Sequence, residues 1–192
     1  MKVDFNIKDF KVEPLRDGKF IKPYLAKFKL NGKERDWELI KTSDSVAILI
    51  YNRDSDSFVF VRQFRPAVYF NQGDGVTIEL CAGILDKELT IPEIGAEEVF
   101  EETGFKVDFN ELEEITTFYT SVGFAGSKQH LYFVEVNESK RVNSGGGVAG
   151  EELIEVVEVS RESIKDFILN GEIKKTPGLI FAIYWFLDNK VK

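Results

Sequence analysis

The stretch VTIELCAGILDKELTIPEIGAEEVFEETGF, residues 76–105, decides the reading of this chain. Its opening, 76–81, is a short apolar run that predicts a buried strand. A tight turn at Ala82-Gly83 follows, and then an acidic helix. Thr90 with Glu93 three residues later forms a capping-box pattern. Pro92 falls in the first turn, where a missing N–H costs little, and Gly104 is a suitable stop. At 100° per residue, Glu97, Glu98, Glu101 and Glu102 share one side of the helix, and Ala96, Val99, Phe100 and Thr103 the other. The expectation is a helix that packs through its apolar side and holds four carboxylates on the opposite one. Like charges four residues apart destabilise a helix by roughly a few tenths of a kcal/mol per pair, so the pattern calls for a counter-charge. Oxygen-only donors point to Mg²⁺ or Mn²⁺. The plainer alternative is a solvated acidic face. Against it, residues 86–103 hold seven acids and one lysine, which is most of the chain's net charge of −8.

Working outward, a chain of 192 residues suits one domain with a small N-terminal appendage. Seventeen phenylalanines supply ample material for a core. The acidic balance argues against nucleic acid as a general partner. Cys81 is the only cysteine, which excludes an intrachain disulfide and fits a reducing compartment. His130 is the only histidine, which excludes a multi-histidine zinc site and favours a structural role for it. With no apolar run of 18 residues and no signal-peptide pattern, a cytoplasmic protein with no membrane partner is expected.

Residues 3–12 are expected as a strand. Tyr24, Ala26, Phe28 and Leu30 fall on one face with Lys27 and Lys29 between them, Leu25 breaking the alternation, and Asn31-Gly32 signals a type I′ hairpin turn. The return strand carries Trp37, Leu39 and Ile40. This small antiparallel sheet sets off a region 1–42 from a main domain 43–192. Strands follow at 45–52 and 57–64, a loop at 66–75, and, beyond the acidic helix, strands near 113–121 and 130–136. Three consecutive glycines at 145–147 predict a loop that is mobile unless a ligand orders it. A strand at 153–159 leads to a helix capped by Ser160 and stopped by Gly171, and a last apolar helix spans 177–188. Strands mixed with three helices suggest an α+β or α/β sandwich.

Residues 83–105 resemble the Nudix box, G-x5-E-x7-R-E-U-x-E-E-x-G-U, where U is a bulky aliphatic. Gly83, Glu98, Val99, Glu101, Glu102, Gly104 and Phe105 occupy its positions. Leu89 stands where the first glutamate is expected and Glu97 where the arginine is expected. Lys87, Arg62 and Arg65 are the candidate substitutes for that arginine. The stretches QFRPAVY, ELCAG and TSVGFAGS extend the likeness to the ADP-ribose and UDP-sugar pyrophosphatase branch of the Nudix hydrolases, over roughly residues 35–187.

That resemblance implies an α/β/α sandwich with a mixed sheet and a small N-terminal antiparallel sheet domain. It also implies a homodimer whose N-terminal regions help build the partner's pocket. The implied activity is Mg²⁺-dependent hydrolysis of nucleoside diphosphate sugars, UDP-glucose or ADP-ribose, with Mn²⁺ as a possible substitute. Another diphosphate substrate, or a nucleotide-sugar sensor that does not hydrolyse, are the alternatives. Glu98 and Glu102 are implied as metal ligands with the Ala82 carbonyl, and Glu101 as a further ligand or orienting residue. The base is expected from Glu151 or Glu152, with Glu152 also touching metal. Arg65 would clamp phosphate, the alternative being a surface or ion-pair arginine. Trp37 would either stack on a base or belong to the core, Glu79 would contact substrate or support a residue that does, and Ser127 would contact sugar or phosphate.

Overall fold

The computed structural model describes residues 3–16, 18–147 and 153–191. In chain order the elements are β1 (Lys22–Leu30), β2 (Lys33–Lys41), β3 (Ser45–Asn52), β4 (Ser57–Phe64), α1 (Pro66–Gln72), β5 (Val76–Glu79), β6 (Cys81–Ile84), α2 (Ile91–Thr103), β7 (Glu113–Thr120), β8 (Ser127–Val136), β9 (Ile154–Ser160), α3 (Ile164–Leu169) and α4 (Pro177–Asn189).

The run SVAILIYN of β3 is apolar at almost every position because both faces of the strand are covered. Val46, Ile48 and Ile50 pack with Val59, Cys81, Ile94 and Val99 on the α2 side. Ala47 and Leu49 face the opposite way, into Phe58, Phe60, Ile164, Leu179 and Ile183 on the side of α3 and α4. The result is an α/β/α sandwich around a seven-stranded mixed sheet. β8 lies parallel to β3, and β7 is antiparallel on the far side of β8.

The centre of the sheet is split. β3 and β4 pair only near their connecting turn, from Ile50↔Val59 to Asn52↔Ser57. Beyond that point they diverge, and residues 76–84 fill the wedge. β5 pairs with Val61–Phe64 of β4, and β6 pairs with Ser45–Ile48 of β3. The single strand expected at 76–81 is therefore two. The break comes at Leu80, whose side chain joins the core on the α3 and α4 side, because no one neighbour runs along the whole segment.

Other expectations also need correction. Residues 3–12 form no strand: Asp9 takes a positive φ of 53°, and the segment is held by its rings instead. Phe5 lies under the Arg62 guanidinium at 4.9 Å, and Phe10 meets Tyr69 edge-on at 4.8 Å. The stretch 66–75 is not all loop, because Pro66 starts α1 and Gly73, at φ 74°, closes it. Ser160 ends β9 rather than capping α3; the cap position is Ser163, and the two hydroxyls are 2.8 Å apart. The triglycine loop is tied to the end of α2, where Gly146 and Gly147 N–H donate to the carbonyls of Glu102 and Glu101 at 2.9 and 3.0 Å.

The β1–β2 hairpin turns through Asn31 (φ 50°) and Gly32 (φ 77°), both left-handed as the Asn-Gly signal requires. Its face of Tyr24, Phe28, Leu30 and Trp37 is exposed. Among the described residues two hydrogen bonds join it to the sandwich: Ile40 N–H to Phe124 O at 2.8 Å and Trp37 Nε1–H to Gly123 O at 2.6 Å. No helix of the described residues is long and apolar enough to cross a membrane.

Candidate active site

The wedge that splits the sheet also builds the site. β6 pairs on one edge with β3, and its other edge faces the gap. The N–H and C=O of a strand residue point to the same edge. Ala82 N–H donates to Glu102 Oε2 at 3.0 Å, so the Ala82 carbonyl is directed towards the same acidic helix. Gly83 is needed for close approach: a Cβ there would lie 2.2 Å from Glu98 Oε1. Glu98 thus lies over the bare backbone of Gly83, and Glu102 is held by that of Ala82.

This overturns the expected orientation of α2. The buried side of the helix is Ile94, Gly95, Val99, Glu102 and Thr103, while Phe100 is exposed. Glu102 is only 4% exposed, so it sits in the packed stripe rather than opposite it. Burial of a carboxylate is tolerated because a backbone N–H satisfies it. The start and stop of α2 match the sequence signals. Glu93 accepts from both the N–H and the hydroxyl of Thr90, and Gly104 closes the helix at φ 76°.

Negative charge is concentrated here. Burial first, and then Glu102, Glu98 and Glu101, push the Cys81 thiol well above its ordinary range. Cys81 is fully buried and behaves as a small core residue. Among the described residues no three acidic, cysteine or histidine side chains meet closely enough to be a ready-made metal cage; the acids flank β6 instead. The donors nevertheless fit a hard divalent cation: carboxylates on consecutive turns of one helix beside a backbone carbonyl.

A second cluster lies at the ends of β4 and β5. Arg65 Nε and Nη2 grip Glu79 Oε1 and Oε2 at 2.8 and 2.6 Å, a two-pronged pair. Thr77 Oγ1 adds a bond to Glu79 at 2.6 Å. Burial raises the Glu79 pKa, but the Arg65 and Thr77 contacts outweigh it and hold the carboxyl below its ordinary value. Two predicted substrate residues are thus each other's partner.

Ser127 begins β8 and bonds Thr120 across the β7–β8 ladder at 2.9 Å. Trp37 lies on the hairpin, its indole N–H tied to the Gly123 carbonyl and the residue 57% exposed. His130 Nδ1 is 2.9 Å from Thr117 Oγ1, a structural contact. Glu151 and Glu152 lie outside the described residues. The stretches on either side are placed: Gly147 is bound to the end of α2, and Ile154 opens β9 opposite Gln63 of β4.

No family model matches the chain. It is similar along most of its length to curated proteins, however. The uridine diphosphate glucose pyrophosphatase NUDT14 of Bos taurus is 35% identical over 88% of this chain and 89% of its own. The Mus musculus protein of the same name is 34% identical over 90% of each. A GDP-mannose pyrophosphatase of Enterobacter sp. (strain 638) is 37% identical over 77% of this chain and 75% of its own.

The chain belongs to the Nudix hydrolase family.

As a Nudix chain it departs from the signature at two positions, and the structure shows what stands there. Glu97 is paired with Lys87 at 2.7 Å. The other two candidate cations are engaged elsewhere, Arg62 with Glu155 at 2.5 Å and Arg65 with Glu79. Leu89 is exposed. Lys87 is one of the three cations named as substitutes for the missing arginine, but its pairing with Glu97 has no signal in the sequence. The burial of Glu102 and the close approach at Gly83 had no sequence signal beyond the Ala-Gly dipeptide.

Proposed function

We propose that this enzyme hydrolyses the pyrophosphate bond of nucleoside diphosphate sugars, releasing a nucleoside monophosphate and a sugar phosphate, with a divalent cation, Mg²⁺ or Mn²⁺. The observation that carries this reading is Glu98 and Glu102 of a Nudix helix lying on the bare backbone of Ala82 and Gly83. The relatives named for UDP-glucose and GDP-mannose support a nucleotide-sugar substrate. UDP-glucose and ADP-ribose are the substrates expected from sequence.

Glu98, Glu102 and the Ala82 carbonyl would hold the cation, with Glu101 as a further ligand or orienting group. A divalent cation bound there would supply charge neutralisation for the diphosphate and acidify the attacking water. The chain's own groups do the rest. Arg65, kept in place by Glu79, directs its guanidinium at a phosphate. Ser127 contacts the sugar or phosphate. Glu151 or Glu152 takes the proton of the water as its oxygen attacks phosphorus and the bridging P–O bond breaks. Trp37, with its N–H already engaged, presents its ring to a nucleobase. The exposed apolar face of β1 and β2 supports a homodimer in which region 1–42 reaches the partner's pocket.

The test is product release from UDP-glucose, ADP-ribose and GDP-mannose with Mg²⁺, comparing wild type with Glu102→Gln. Nucleoside monophosphate and sugar phosphate should form, and the variant should lose at least about tenfold in kcat. Turnover that is unaffected by Glu102→Gln would overturn the metal assignment. Tight binding of a nucleotide sugar without turnover would favour the sensor reading.

A further inference from the structure

Glu97 is the acid of α2 that stands apart. Glu102 is bound to Ala82 N–H and Glu98 lies against Gly83, whereas Glu97 points to Lys87 in the loop between β6 and α2. That loop is anchored at its start by Leu85 N–H to Asp44 O at 2.9 Å and at its end by Thr90 and Glu93. Lys87 therefore reaches back over the helix from a fixed base. Its ammonium is also within electrostatic reach of Glu101 and Glu98. Both partners are about two-fifths exposed, at 42% and 44% of their side chains. Exposed pairs of this kind contribute little to folding stability, so stability does not account for the pair.

An unpaired Glu97 would be a competing ligand. It precedes Glu101 by one helical turn, which places its carboxylate beside that of Glu101 at the border of the metal-holding side of α2. We propose that Lys87 is a positioning residue that withholds Glu97 from the metal site, so that among the clustered acids of α2 only Glu98, Glu101 and Glu102 are left to face the cation. This rests on the metal reading of the site given above. It differs from a purely structural salt bridge in one respect: the harm done by losing Lys87 comes from the carboxylate set free, and removing that carboxylate cures it.

The experiment compares wild type, Lys87→Met, Glu97→Gln and the double variant. Mn²⁺ binding to the protein alone is measured by titration calorimetry, beside kcat with a nucleotide sugar and the melting temperature of the metal-free chains. Lys87→Met should change Mn²⁺ affinity and lower kcat by about tenfold each, with the melting temperature nearly unchanged. Glu97→Gln should resemble wild type, and the double variant should resemble Glu97→Gln. A double variant as impaired as Lys87→Met overturns the proposal, as does Glu97→Gln impaired to the same degree as Lys87→Met. Wild type that turns over and binds Mn²⁺ while the rescue fails overturns this inference alone. Wild type that binds no Mn²⁺ removes the metal reading beneath it as well.

Discussion

The pairing of Arg65 with Glu79 couples a buried acid to a half-exposed base, with side chains 12% and 45% exposed respectively. In Arg65→Met the Glu79 carboxylate keeps Thr77 but loses both guanidinium bonds. Leaving a buried acceptor undersatisfied costs about 1–3 kcal/mol, and the exposure of Arg65 puts the expected loss near the low end. The sign with pH follows from the direction of the shift. The folded Glu79 pKa is lowered from its ordinary value of 4.5, so the ionised pair stabilises the fold above that value. The contribution is lost as pH falls through the lowered pKa. Urea unfolding of wild type and Arg65→Met should therefore differ most near neutral pH and converge as the solution is acidified below 4.5. A constant difference across that range would show that Glu79 is not the group responsible. If Arg65 also clamps phosphate, the variant's KM should rise at neutral pH, where the fold remains intact.

At the scale of elements, α2 is held at both ends by backbone that the site also uses. Gly104 takes φ 76°, and a Cβ there would lie 2.1 Å from the carbonyl oxygen of Asn143. Next to it, Val142 N–H donates to Gly104 O, while Gly146 and Gly147 bind the carbonyls of Glu102 and Glu101. The loop that leads towards Glu151 and Glu152 is thus fastened to the turn of helix that carries the acids. Gly104→Ala brings a left-handed alanine and a backbone clash together. It should cost at least about 1–3 kcal/mol, read as a lower urea midpoint. Activity per folded molecule should fall as well, because the loop loses its seat on α2. A variant that lost stability but kept full specific activity would separate the loop's attachment from catalysis.

For the whole molecule, the unusual feature is the β1–β2 hairpin. A two-stranded hairpin is marginal in water without a surface to pack on. Here Tyr24, Phe28, Leu30 and Trp37 are 44–57% exposed on one face. Contiguous apolar surface of this kind marks an interaction site, and a second copy of the chain is the occupant proposed above. Sedimentation should give twice the mass of the 21.9 kDa chain. Tyr24→Lys combined with Phe28→Asp should bring the mass down to that of one chain while the sandwich still folds. If Trp37 serves the partner's pocket, KM should rise with dissociation. A wild-type monomer would overturn the dimer.

Local signals in the sequence were enough for the elements whose form depends on near neighbours along the chain. β3 and β4 match their predicted bounds, and the hairpin turn, the Thr90–Glu93 cap and the Gly104 stop lie where Asn-Gly, capping-box and glycine rules put them. The spacing from Gly83 to Gly104 carried the family resemblance for the same reason, since it is a separation along one continuous strand–loop–helix segment. What the tertiary structure decided were matters of which backbone lies opposite. Helical periodicity assigns Glu102 to a polar side, but the free N–H of Ala82 draws it into the buried one. A run of apolar residues at 76–81 looks continuous, but diverging neighbours β3 and β4 divide it at Leu80. No pattern in the sequence says which cation meets Glu97, and the course of the loop after β6 brings Lys87 to it. In each case the deciding group is distant along the chain or belongs to the backbone, where side-chain pattern carries no record of it.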